Sequence, residues 1–130
     1  MSDTLTGRIV SGARQAAFFT QLDWVQEQCE EKLGFKPYPG TLNLEIAESD
    51  TAKLNSLRGI DSLALVPPDP QFCCARTFPV NIKGVMGAII IPAENVRIHA
   101  RHIIEIISPV CLKETLGLHD GDVVEITISK

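Results

Sequence analysis

The chain has 130 residues and a mass of 14.2 kDa, which suits one apolar core, and we predict a single domain over residues 1–130. A hydrophobic content of 45% argues against disorder, while the shortness of every apolar run argues against a membrane-spanning helix. The formal net charge of −4, with acidic and basic residues interspersed, argues against nucleic acid as the main partner. Because the N-terminus also lacks a secretory pattern, we expect a cytoplasmic protein that binds neither membrane nor nucleic acid.

The N-terminal part of the sequence predicts a strand followed by a helix. Residues 5–10 alternate weakly and end at Ser11 and Gly12, as is typical of a strand that enters a tight turn. Apolar residues then recur at steps of three and four and predict a helix of about four to five turns, which Gly34 ends. The apolar stripe of this helix consists of Phe18, Leu22, Val25, Cys29 and Leu33.

A stiff segment at residues 37–40, with two prolines and a glycine, leads into a second predicted strand at 41–46. Polar and apolar residues alternate strictly in this strand, so successive side chains should point to opposite faces. The residues expected to face the core are Leu42, Leu44 and Ile46, and those expected on the other face are Thr41, Asn43 and Glu45.

The rest of the sequence predicts short strands separated by turns. In chain order we first predict a possible strand at 62–66 and a hairpin of 72–83 and 85–91 that turns at Lys83 and Gly84. An irregular loop at 92–101 and a strand at 102–107 follow. The sequence ends with a short helix at 111–116, which Gly117 ends, and a strand at 123–128 after a turn at Asp120 and Gly121. Short strands with two or three inserted helices favour a mainly β fold, a small closed or nearly closed barrel, over a doubly wound sheet.

The four cysteines, at positions 29, 73, 74 and 111, form no CxxC pair. A zinc site needs three or four converging ligands at a recognisable spacing, and the three histidines do not supply one. We therefore interpret the cysteines as reduced side chains that serve as small apolar residues.

Thr41 and Asn43 are the first candidates for a functional site. Two residues apart on a strand, a hydroxyl and a carboxamide oxygen point the same way, and both are hard neutral donors of the kind that Mg²⁺ accepts beside phosphates and water. Gly40 would let a ligand approach the backbone. The alternative is an ordinary exposed strand face after a turn, where Thr and Asn are common.

Glu105 is the second candidate, because it interrupts a nearly continuous run of isoleucines at 103–107. It is either an outward surface carboxylate or a group that orients an acceptor hydroxyl or takes its proton.

Several segments resemble the signatures of the archaeal-type CTP-dependent riboflavin kinase family. The most specific is LGFKPYPGTLNL at 33–44, and order and spacing agree from about residue 5 to the C-terminus. The other matching segments are GRIVSG at 7–12, IIIP at 89–92, IEIISP at 104–109, LKE at 112–114 and LHDGDV at 118–123.

The resemblance implies a six-stranded cradle-loop barrel that transfers the γ-phosphate of CTP to the 5′-hydroxyl of riboflavin, giving FMN and CDP. By the same resemblance, Thr41 and Asn43 would ligate Mg²⁺, and Glu105, as the catalytic residue, would contact the flavin. The residues expected to hold the nucleotide are Val110, Cys111, Leu112 and Lys113, together with the loop that begins at Gly12.

The sequence departs from the family pattern in both substrate loops. Of the usual Gly-x-Gly-x-Gly loop only Gly12 remains. One interpretation is that Arg14 compensates by offering a guanidinium group that binds phosphate. The alternative is that the alanines after it simply begin the helix. Counting back from Glu105, His99 matches a flavin-side histidine of the family, but Arg97 stands where a threonine is usual. Lys113 replaces the usual arginine.

Three functions therefore remain open from sequence. The first is a Mg²⁺-dependent, CTP-using riboflavin kinase. The second is a flavin- or nucleotide-binding module of the same fold that has lost catalysis, because the altered loops face both substrates. The third is a structural or DNA-associated barrel, suggested by the turn at Asp120 and Gly121, although the acidic balance counts against it. The sequence does not determine the oligomeric state.

Overall fold

A computed structural model of the protein describes residues 3–10, 20–50, 52, 63–65, 75–92 and 103–128. In chain order these form strand β1 (Asp3–Val10), helix α1 (Asp23–Leu33), β2 (Leu42–Ile46), a 3-10 turn (Glu48–Asp50), β3 (Leu63–Leu65), β4 (Ala75–Ile82), β5 (Val85–Pro92), β6 (Ile103–Ile107), helix α2 (Leu112–Leu116) and β7 (Val123–Ile128).

Six of the strands close into an antiparallel barrel in the order β4-β5-β6-β2-β1-β7. The barrel closes where β7 returns to β4, with Val80 opposite Ile128 and Asn81 opposite Thr127. Strand β3 pairs with the first residues of β4 and lies outside this ring. The predicted mainly β fold with a six-stranded barrel is therefore confirmed.

The barrel interior is apolar because alternate residues of every strand point inward. Helix α2 contributes Leu112, and the residue after its glycine cap, Leu118, joins the same cluster. The largest fully buried side chains of this core are Leu5, Ile9, Leu44, Ile82, Ile89, Ile106 and Ile126.

A second, smaller core lies on the outer face of β5 and β6, where α1 packs. Val25 and Cys29 of the helix are buried there, and Leu22 and Leu33 pack against them, so the predicted apolar stripe is confirmed for these residues. Burial raises the pKa of the Cys29 thiol to about 11, which suits its interpretation as a small apolar residue. Gly34 ends the helix with a φ of 85°, as predicted.

The predicted length of this helix was wrong. Leu22 has an extended backbone, with φ −63° and ψ 137°, and the helix has only 11 residues. The carbonyl of Leu22 accepts the first helical hydrogen bonds, from the N–H groups of Val25 and Gln26 at 3.0 Å each. A residue that serves as the N-cap is itself outside the helix, so the apolar spacing extends further than the helix does.

The other element boundaries agree with the sequence within a few residues. The hairpin turn has positive φ at both Lys83 (49°) and Gly84 (89°), which is the two-residue type that matches strand twist. Strand β7 begins and ends where predicted, while β2 begins at Leu42 and α2 at Leu112, one residue later than expected. Residues 93–101 of the predicted irregular loop lie outside the described residues. Within the described parts of the chain, neither helix is long and apolar enough to cross a membrane.

Candidate functional site

The pairing of β2 with β6 brings two polar residues of the sequence prediction together. Asn43 lies directly opposite Glu105 in the antiparallel register, and Leu42 and Leu44 lie opposite Ile106 and Ile104. Since directly paired residues point to the same face of a sheet, Asn43 and Glu105 share the outer face of the barrel while the apolar pairs fill its interior.

Thr41, which precedes β2, completes this group. Its hydroxyl Oγ1 donates a hydrogen bond of 3.0 Å to Oε1 of Glu105, a residue 64 positions later. A hydroxyl that gives its proton to a carboxylate keeps its oxygen lone pairs for another partner. The structure thus brings together the predicted metal ligand Thr41 and the predicted acceptor carboxylate Glu105.

Asn43 is buried, with 6% of its surface exposed, so the alternative of an ordinary exposed strand face was wrong for this residue. Its side-chain oxygen Oδ1 is buried and accepts no hydrogen bond from any described residue. Buried polar atoms are nearly always satisfied, and an orphaned carboxamide oxygen therefore indicates a missing partner. A hard oxygen with free lone pairs, beside a hydroxyl oxygen and a carboxylate, fits Mg²⁺.

The donor set does not resemble a zinc site. No group of three or more histidine, cysteine, aspartate or glutamate side chains converges among the described residues. Cys29 and Cys111 are free thiols. Neutral oxygens and one carboxylate suit a cation that keeps several waters or phosphate oxygens in its shell.

The loop between α1 and β2 positions Thr41. Gly40, immediately before it, has a φ of 112°, while a Cβ added there would meet nothing within 4 Å. The glycine is thus needed for its backbone conformation, because an L side chain rarely adopts that φ. The N–H of Tyr38 donates to the carbonyl of Ser108 at 2.7 Å, which ties the loop to the end of β6.

A pocket lies between this loop and the segment that leads into α2. It is lined by residues 38–42, by Ile106 and Ser108, and by residues 110–113. Val110, Cys111, Leu112 and Lys113, which the sequence predicted to hold a nucleotide, therefore share a pocket with Thr41.

These four residues differ in what they offer a ligand. Val110 is exposed and Cys111 is half-buried at the N-cap of α2, whereas Leu112 is buried and belongs to the barrel core. Lys113 is half-exposed, and its Nζ lies 2.6 Å from Oδ1 of Asp120. The pocket therefore has an apolar rim and one ammonium group, which an aspartate already neutralises in part.

Gly12, Arg14 and His99 lie outside the described residues, so their predicted roles stay predictions. The strand that leads to Gly12 ends beside the site, because Val10, the last residue of β1, lies opposite Asn43.

Sequence reasoning missed Ser108. Its carbonyl accepts from the N–H of Tyr38, and its buried hydroxyl donates to the carbonyl of Met86 at 2.8 Å, so it links β5, the end of β6 and the loop at 37–40. The partners lie 22 and 70 positions away, and no local spacing reveals them. A serine that directly follows an apolar strand and precedes a proline was the available signal.

The chain is similar to a known protein family over most of its length. The family model CTP-dep_RFKase, described as domain of unknown function DUF120, matches residues 9–128. The chain is 39% identical over 128 residues to a riboflavin kinase of Archaeoglobus fulgidus, which covers 95% of the chain and 54% of that protein. It is 38% identical over 134 residues to a riboflavin kinase of Pyrobaculum islandicum (98% and 61%), and 36% identical over 128 residues to one of Ignicoccus hospitalis (96% and 70%).

The chain thus spans little more than half the length of several of the curated relatives that it matches. The family model nevertheless covers the barrel from the end of β1 to the end of β7. The family model and the relatives together show that the chain belongs to the CTP-dependent riboflavin kinase family.

Proposed function

We propose that this domain transfers the γ-phosphate of CTP to the 5′-hydroxyl of riboflavin, giving FMN and CDP, with Mg²⁺ bound at Thr41 and Asn43. The observation that carries the proposal is the orphaned, buried Oδ1 of Asn43 beside the Thr41–Glu105 hydrogen bond. The relatives bear the name riboflavin kinase, and the family name supplies CTP. A cytoplasmic location, and partners limited to riboflavin or FMN and CTP or CDP, belong to the same proposal.

Thr41 and Asn43 would hold the metal through Oγ1 and Oδ1. When bound, Mg²⁺ neutralises charge on the phosphates and on the leaving CDP. The protein's own contribution is to place both side chains before the metal binds: the bond to Glu105 orients Oγ1 of Thr41, and the strand pairing puts Asn43 on the same face, opposite Glu105. Such preorganisation reduces the reordering that binding requires.

Glu105 has the chemistry to act on the acceptor. The carboxylate of Glu105 accepts one hydrogen bond, from the Thr41 hydroxyl. Because a carboxylate can accept about four hydrogen bonds, it can also accept one from the riboflavin 5′-hydroxyl. In the transfer, the bond from that oxygen to the γ-phosphorus forms and the bond from the γ-phosphorus to the β–γ bridging oxygen breaks. The hydroxyl proton passes to Glu105 and then to solvent, and CDP leaves with the bridging oxygen.

The pocket beside Thr41 supplies the nucleotide side of this proposal. Val110 and Cys111 offer apolar contact, and Lys113 offers positive charge for phosphate, while Gly12 and Arg14 are proposed to complete the phosphate contacts from the loop after β1. Phosphoryl transfer requires mainly positioning and charge neutralisation, which these groups can provide.

The direct test incubates the purified protein with riboflavin and either CTP or ATP, with Mg²⁺ or with EDTA, and separates the products chromatographically. We expect FMN and CDP in equal amounts with CTP and Mg²⁺, and neither product with EDTA. Riboflavin binding without FMN formation from any nucleoside triphosphate would replace the kinase by a non-catalytic binding module. Tight, salt-sensitive binding to DNA would favour the structural or DNA-associated barrel instead.

A further inference from the structure

The loop that carries the metal-site threonine has few backbone donors of its own. Of the residues at 37–40, two are prolines, so only Tyr38 and Gly40 have an N–H group. Tyr38 donates to Ser108, and Gly40 donates at 2.9 Å to the side-chain oxygen Oγ1 of Thr20. The position of the peptide next to Thr41 thus depends on one side-chain hydroxyl, 20 residues earlier in the chain.

Thr20 is completely buried, with 0% exposure, and its side-chain oxygen and its main-chain oxygen each accept a hydrogen bond. The main-chain oxygen accepts from Nε2 of Gln26 at 2.5 Å. Nε2 of Gln26 also donates to the carbonyl of Pro37 at 2.9 Å. A carboxamide nitrogen has two hydrogens, so these two bonds use its full donor capacity.

The helical backbone conformation of Gln26 does not depend on these side-chain hydrogen bonds. Its backbone N–H already donates to Leu22 in the first turn of α1, so the side chain is not a helix cap. It spans instead from Thr20, three residues before the first residue of α1, to the loop after the helix. Thr20 and Gln26 together join the N-terminal end of α1 to the segment at 37–40.

We propose that Thr20 and Gln26 are positioning residues of the metal site: they hold the 37–40 loop so that the Thr41 hydroxyl stays on Glu105 with its lone pairs free for Mg²⁺. This inference rests on the proposed function for the identity of the cation. Outer partners that orient metal ligands typically change metal affinity by about 10- to 100-fold when they are removed.

The test uses two nearly isosteric substitutions, Gln26→Met and Thr20→Val, which remove the hydrogen-bonding groups and keep side-chain volume. Gln28→Met is the matched control, because it is the same substitution on the same helix and Oε1 of Gln28 accepts a hydrogen bond from Lys32. Thr20→Ser restores the acceptor hydroxyl. For each variant we would measure Mg²⁺-dependent CTP binding by calorimetry, amide hydrogen exchange of residues 37–41, and the Mg²⁺ concentration that gives half-maximal FMN formation.

We expect Gln26→Met and Thr20→Val to raise the Mg²⁺ requirement about 10-fold and to accelerate exchange at Gly40, with the KM for riboflavin unchanged. Gln28→Met and Thr20→Ser should behave like the unaltered protein. If Thr20→Val does not fold, Gln26→Met decides the matter, with Gln28→Met as its control.

The inference is overturned if the Mg²⁺ concentration for half-maximal FMN formation in Gln26→Met lies within about twofold of that of the unaltered protein. This holds whatever the change in melting temperature. Binding and exchange need no turnover, so the inference is separable from the reaction. If the protein makes no FMN but Gln26→Met still weakens Mg²⁺-dependent CTP binding, the positioning role stands and only the kinase proposal fails. If the unaltered protein shows no Mg²⁺-dependent CTP binding, the positioning role fails as well.

Discussion

Two neighbouring residues on opposite faces of strand β2, Leu42 and Asn43, are almost equally buried but have opposite effects on the fold. Leu42, on the inner face, is 4% exposed and Asn43, on the outer face, is 6% exposed. Burying a leucine side chain stabilises a protein by roughly 1.5–3 kcal/mol, whereas a buried polar atom without a partner costs roughly 1–3 kcal/mol. The inner face therefore holds the barrel together, and the outer face holds at least one group whose burial opposes folding.

This difference identifies function more sharply than burial or residue type alone. The apolar residues of β2 need only hydrophobicity and the right size, and other sequences could satisfy that requirement. The Asn43 carboxamide has no such explanation within the described residues, because its oxygen lacks a partner. A ligand that binds this oxygen would remove the cost of burying it. We therefore expect substitutions on the inner face to reduce mainly stability and substitution of Asn43 to reduce mainly function.

The largest expected effect on stability is at the inner face. Leu44→Ala should lower the free energy of unfolding by about 2–5 kcal/mol, because it removes a completely buried side chain between β1 and β6 and leaves a cavity. Urea denaturation followed by circular dichroism would measure this loss. The folded fraction of Leu44→Ala should need the same Mg²⁺ concentration as the unaltered protein. A loss below about 1 kcal/mol would contradict the assignment of Leu44 to a tightly packed core.

The next effect concerns the outer face, where function and stability should separate. Asn43→Leu has the same branching as asparagine without its polar atoms. We expect Mg²⁺-dependent FMN formation to fall on the order of 100-fold, since a proposed metal ligand is lost, with riboflavin binding nearly unchanged. The free energy of unfolding should stay within about 1 kcal/mol or increase, because an unsatisfied oxygen disappears.

Glu45→Gln provides the matched control on the same strand and face. Its carboxylate pairs with Arg8 at 2.7 Å near the surface, an interaction worth about 1 kcal/mol or less, and we expect unchanged FMN formation. If Asn43→Leu lowered stability by more than about 2 kcal/mol and weakened riboflavin and nucleotide binding equally, Asn43 would be a structural residue and the proposed metal site would fail.

The same contrast explains how much the sequence could predict. The inner face of β2 follows from alternation within six residues, and the barrel strands follow from similar local patterns and turn residues such as Lys83 and Gly84. The start of α1 did not follow, because apolar spacing continues through Leu22 although its backbone is extended. Spacing detects which side chains face a core, and it does not detect the dihedral angles of the residues that carry them.

The site was predictable in its residues but not in its contacts. Thr41, Asn43 and Glu105 were found from residue type, alternation and family signatures. The hydrogen bond between Thr41 and Glu105, and the burial that leaves Asn43 without a partner, arise from strand pairing across more than 60 positions. The supports at Thr20, Gln26 and Ser108 depend on the path of a loop, and no periodic pattern encodes such a path.

The smallest expected effect is at Lys113, on the opposite side of the pocket from Thr41. Its ammonium group and its partner Asp120 are both about half exposed, so removing the ion pair should change the free energy of unfolding by less than about 1 kcal/mol. Lys113→Met keeps most of the aliphatic length and should weaken CTP binding several-fold at low ionic strength, with less effect at high salt because exposed charges are screened. Calorimetric titration of CTP at two salt concentrations would measure the difference, with Lys113→Arg as the charge-preserving control. A salt-independent loss of CTP affinity on the order of 100-fold would mean that Lys113 is as desolvated in the complex as Asn43. The contrast between a buried strand residue and an exposed helix residue would then no longer hold.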